Sequence, residues 1–118
     1  MITWHDIAVA DADALSDFYC SVAGWEKEGL SMGDYNDYVM KDASGNIMGG
    51  ICHAKGMNKE LPPFWLMYIP VENIDRSMEL CKQMGGKVGE KRKMGEGFYC
   101  LIQDPAGAYV MLSEGSYQ

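Results

Sequence analysis

Apolar and polar positions alternate along this chain in two similar series. The first opens with a short, loosely alternating apolar run from Trp4 to Val9, which predicts a strand. Leu15, Phe18, Tyr19 and Val22 then recur at three and four residues, after Asp11 and Asp13 and before Gly24. That spacing predicts a helix with carboxylates at its start and glycine at its end. The second series repeats the order: an alternating run from Trp65 to Val71, then Ile74, Met78, Cys81 and Met84 between Asn73 and Gly85-Gly86. Three shorter strands are expected after each helix. The last two in each series are joined by a turn, Asp42-Ala43-Ser44-Gly45 and Asp104-Pro105-Ala106-Gly107, with Asp first and Gly last.

The two series superimpose without a gap when the chain is slid by 62 positions, the separation of Ile7 from Ile69. Val9 then meets Val71, Asp13 meets Asp75, Gly24 meets Gly86, Glu28 meets Glu90, Asp42 meets Asp104 and Gly45 meets Gly107. The expected architecture is α+β: two tandem βαβββ units, residues 2–53 and 64–115, with a linker over 54–63 inside one domain, 1–118. A unit with one helix leaves one sheet face bare, so the sheets are expected to curve around a cavity with the helices outside.

Composition narrows the function classes. The chain has 118 residues with 47% apolar and 23% charged positions, the composition of a single globular domain. Ten basic against 17 acidic residues give a net charge of −7, which argues against nucleic acid and anionic membranes as partners. The one basic cluster, Lys91-Arg92-Lys93, lies between Glu90 and Glu96 and reads as a solvated loop. No membrane-length apolar run and no leader pattern is visible, so a cytoplasmic location is expected. Cys20, Cys52, Cys81 and Cys100 are too scattered for a disulfide framework and read as reduced, mostly buried thiols.

Ile7-Ala8-Val9-Ala10-Asp11, Phe18-Tyr19 before Gly24-Trp25, Gly85-Gly86-Lys87-Val88, and Asp104-Pro105-Ala106-Gly107 running into Tyr109-Val110-Met111-Leu112 carry a family resemblance. Together the units resemble the vicinal oxygen chelate superfamily of glyoxalases, extradiol dioxygenases, fosfomycin-resistance enzymes and bleomycin-binding proteins. The resemblance implies a fold and leaves the chemistry open. In metal-using members it implies ligands on the first and last strand of each unit, positions that fall here on Trp4, Gly49, Leu66 and Met111. None of these offers the nitrogen or carboxylate oxygen that a divalent cation requires, so no metal and no cofactor is expected there. Trp4 to Ala8, Gly49-Gly50-Ile51, and Pro62 to Leu66 with Tyr68 resemble a metal-free subgroup that includes mycobacterial-antigen-like proteins.

Alternation places Trp4, Asp6, Ala8, Gly49, Ile51, Leu66, Tyr68, Tyr109 and Met111 on the cavity wall, with His5 on the helix side and His53 at the cavity rim. An apolar, aromatic wall with one carboxylate suits a small aromatic or cationic organic molecule, bound without metal. The alternative is a lyase, isomerase or dioxygenase of the same superfamily, either metal-dependent or acting through Asp6 and Tyr68 as the acid–base candidates. The resemblance further implies a homodimer.

Overall fold

The computed structural model describes residues 4–56 and 59–115, and among them the chain forms two helices and nine strands of an α+β fold. It divides into two compact units, one over His5–Trp65 and the other from Leu66 onward, to which Trp4 at the head of the first strand is also assigned. The first unit runs β1 (Trp4–Val9), α1 (Ala12–Ala23), β2 (Glu26–Ser31), β3 (Asn36–Lys41) and β4 (Ile47–His53), with strand order β2-β3-β4-β1. The second runs β5 (Leu66–Pro70), α2 (Ile74–Gln83), β6 (Lys87–Val88), β7 (Arg92–Met94), β8 (Gly97–Gln103) and β9 (Tyr109–Glu114), with order β5-β9-β8-β6. In both, the first and last strands are parallel neighbours, β1 with β4 and β5 with β9.

The local signals act as anticipated. The Asp11 carboxylate accepts the Ala14 N–H and the Asn73 side chain accepts the Arg76 N–H, so each helix starts on a capping side chain. Gly24 ends α1 in the left-handed conformation, φ 70°, which a Cβ would disfavour. Both turns are built alike. Asp42 accepts the Ser44 and Asn46 N–H groups, and Asp104 accepts those of Ala106 and Ala108. These amide donors and the Asn46 side chain hold the Asp42 carboxyl below its usual range.

Three expectations change. The buried stripe of α1 is Ala12 and Ser16, flanked by the half-buried Leu15, Tyr19 and Cys20, whereas Phe18 and Val22 face outward. Ser16 tolerates burial because its hydroxyl donates to the Asp13 carbonyl at 2.8 Å. The basic cluster is no loop: Arg92 and Lys93 lie in β7, paired with β8, and Lys91 sits over the Phe98 ring with an ion pair to Asp75 at 2.9 Å. Trp65 precedes β5 instead of opening it. Its indole N–H donates to the Tyr19 hydroxyl at 3.0 Å, and its ring packs edge-on to Tyr19 and Trp25 in the first unit's core.

Candidate functional site

Register decides which side chains share a face. In the second unit Ile69 and Leu112 pair and pack with Ile74 and Met78 of α2. Tyr68 pairs with Met111, Leu101 with Met111, and Gln103 with both Tyr109 and Lys87, so these residues occupy the opposite, helix-free face. The reading from alternation holds for this unit. Leu66 and Met111 are fully buried and Tyr68 is 5% exposed, so they close the middle of the face. Tyr109 lines a cleft of about 180 Å³ with Lys87, Val88, Gly89, Leu101, Ile102 and Gln103. Of the residues expected on the cavity wall, Tyr109 is the one that borders this cleft. Lys87 and Gln103 were not anticipated, although their period-two relation to the paired strands places them there.

The first unit departs from this plan by one residue. Its strands pair Val39 with Gly50, Met40 with Gly49, then Lys41 with Ile47, which leaves Met48 as a bulge. In the second unit the corresponding ladder, Leu101–Met111, Ile102–Val110 and Gln103–Tyr109, has no extra residue. Gly49 carries the bulge at φ 155°, and a Cβ there would lie 2.7 Å from the His5 carbonyl oxygen and 3.5 Å from the Trp65 ring. Beyond the bulge every side chain changes face. Asp6 therefore pairs with Gly50, where Tyr68 pairs with Met111. Ile51 pairs with Ile7 and is buried under α1 with Ala12 and Met40. The expected placement of Gly49 and Ile51 on the face of Asp6 is thus corrected.

The same shift carries His53 away from the expected rim to the end of the helix-side core, where it is 7% exposed. Its Nδ1 lies 2.8 Å from the Asn36 carbonyl oxygen, its backbone N–H donates to Asp37 at 2.8 Å, and its ring meets Tyr35 edge-on. His5 is exposed at the start of β1. On the helix-free face of this unit, Asp6 and Ala8 lie beside Gly50 and Cys52. Burial, reinforced by the Asp6 and Asp37 carboxylates, pushes the Cys52 thiol far up and keeps it protonated.

The positions that resemble the superfamily's metal ligands fail on donor chemistry. With the bulge included, the last-strand position of the first unit becomes Gly50, which has no side chain, and the others present an indole at Trp4, an isobutyl group at Leu66 and a thioether at Met111. These groups do not fit a divalent cation.

Comparison with known proteins places the architecture. The profile of the Glyoxalase/Bleomycin resistance protein/Dioxygenase superfamily matches residues 2–112. CFP32 of Mycobacterium bovis, a candidate glyoxylase by name, is 29% identical over 92% of this chain but only 43% of its own length. The chain therefore spans less than half of the curated relatives it matches. Among solved structures, a superfamily member from Vibrio splendidus superimposes with a TM-score of 0.62 at 11% identity, covering 98% of this chain and all of that one. Methylmalonyl-CoA epimerase from Mycobacterium tuberculosis gives 0.56 at 16%, covering 98% and 87%. At such identities the likeness is one of fold. The repeated βαβββ units and the match along nearly the whole chain lead to one conclusion: the protein belongs to the glyoxalase/bleomycin resistance/dioxygenase superfamily.

Proposed function

We propose that the protein binds a small, flat aromatic molecule, without a metal, in the cleft beside Tyr109. The observation that carries this reading is the cleft itself, lined by Lys87, Leu101, Gln103 and Tyr109 of the helix-free face together with Val88, Gly89 and Ile102 of the same strands' edge. Its 180 Å³ accommodates about one six-membered ring, since a cavity near 150 Å³ takes a benzene. Lys87 at the edge makes no ion pair with another described residue, and the Gln103 side-chain oxygen accepts no hydrogen bond from a described residue while its amide nitrogen donates to the Gly107 carbonyl. An ammonium at the edge of the cleft selects against cationic ligands. Of the aromatic and cationic classes expected from the sequence, this cleft favours the aromatic one, with an acceptor group turned toward Lys87.

Three probes of one shape and different charge test the proposal: benzoate, benzamide and benzylammonium, titrated calorimetrically with chelator present. Benzoate is expected to bind best and benzylammonium worst, with no effect of the chelator. Tyr109→Ala should weaken all three by about fivefold, as loss of an aromatic contact worth about 1 kcal/mol requires. Lys87→Met should remove the preference for benzoate. Tightest binding of benzylammonium, or a Tyr109→Ala variant that binds like wild type, would sink the proposal.

A further inference from the structure

Where β1 and β4 end and α1 begins, Asp11, Asp13 and His53 bring one ligand atom each within 4.8 Å of one another. We propose that these three residues form a site for a divalent transition-metal cation, unrelated to the strand positions that resemble the superfamily's metal ligands. All three lie within the first unit, on the helix side of its sheet.

Each residue is anchored through one atom and keeps another for a ligand. Asp11 accepts the Ala14 N–H through Oδ1, and Asp13 accepts the Tyr38 hydroxyl through Oδ1; the second oxygen of each has no hydrogen bond from a described residue. His53 is the buried member of the three. Its side chain is more than nine-tenths buried, and Nδ1 donates to the Asn36 carbonyl. In the unprotonated ring that bond leaves the lone pair on Nε2, for which no described residue supplies a donor. A buried imidazole held by a backbone carbonyl, facing two carboxylates, is how proteins orient a histidine ligand toward a metal.

The surrounding charge favours a cation. Asp37 stands 3.8 Å from His53 Nδ1 and adds a third carboxylate behind the ring. The nearby ammonium groups are engaged elsewhere: Lys27 binds Asp17 at 2.7 Å and lies over the Tyr38 ring, and Lys55 lies over the Tyr35 ring. The amino end of α1 opposes a cation with roughly half a positive charge, which two carboxylates outweigh. One imidazole and two carboxylates suit Zn²⁺ or Mn²⁺ better than Ca²⁺, which takes oxygens alone. Ligand atoms around a tetrahedral ion stand roughly 3.5 Å apart, so binding must draw the exposed Asp11 and Asp13 side chains inward by about an ångström. The bound ion would then tie the end of β4 to the first turn of α1.

The test titrates chelator-treated protein with Zn²⁺ by calorimetry and thermal melting, beside Asp13→Asn and Asp11→Ser. Asparagine keeps an acceptor for Tyr38 and serine still caps α1, so both variants should melt near the wild type without metal. The expected result is one saturable Zn²⁺ that raises the wild-type Tm by several degrees, with affinity at least about tenfold lower in each variant. A shift of the His53 Nε2 resonance on adding Zn²⁺ would report the ligand directly. Absence of saturable binding, wild-type affinity in either variant, or a thiolate charge-transfer band with Co²⁺, which would assign the ion to cysteine, would each overturn the site.

Discussion

Gly49→Val is expected to cost about 3 kcal/mol, lowering Tm by about 10 °C. The added Cβ would meet the His5 carbonyl oxygen at 2.7 Å, well inside contact distance, on backbone at φ 155°. Neither the carbonyl nor the Trp65 ring beyond it can withdraw cheaply, because Trp65 is held by Tyr19 and Trp25. Gly45→Ala provides the control. Its added carbon meets nothing within 4 Å, so only the positive φ of 84° is penalised, by about 1 kcal/mol. Denaturant melts of the two variants give the comparison. Equal losses would mean that the bulge at Gly49 is not a close approach.

Ile51→Ala should destabilise by about 3 kcal/mol while leaving the affinity of the folded protein for benzoate unchanged. Ile51 is fully buried, packed with Ile7, Ala12 and Met40 beneath α1, so removing three carbons opens a void in the core. Simple alternation along β4 would instead put Ile51 on the helix-free face. An altered probe affinity with little change in stability would restore that placement and remove the bulge from the account. Chemical denaturation, paired with calorimetry under folding conditions, separates the two.

The repeat made most of the fold legible. Ile7 and Ile69, Asp42 and Asp104, Gly45 and Gly107 mark the same positions in the two units, because each unit solves the same problem of folding a helix onto one face of a sheet. Caps and turns were readable for a local reason: Asp11, Asn73 and Asp104 satisfy backbone donors only two to four residues away. The site was less legible, because faces depend on long-range register. Counting seven residues past the turn Asp reaches Met111 correctly in the second unit, but Met48 is an extra residue in the first, and the count stops one short of Gly50. The Gly49-Gly50 pair is the available signal, since glycine inside a strand marks a bulge or a close backbone approach. The grouping of His53 with Asp11 and Asp13 is a consequence of that same residue and has no signature in spacing. Lys87 and Gln103 became visible only through strand pairing, which sets Lys87 opposite Gln103 and Gln103 opposite Tyr109.

The proposed ligand would lodge in the second unit, in the cleft beside Tyr109. Crystals of the protein soaked with benzoate test this most directly. The expected result is a ring lying against Tyr109 and Leu101, its carboxylate turned to Lys87, and no such density in Tyr109→Ala crystals soaked alike. A ring bound elsewhere with the Tyr109 cleft unoccupied, or the same density in the variant, would contradict it.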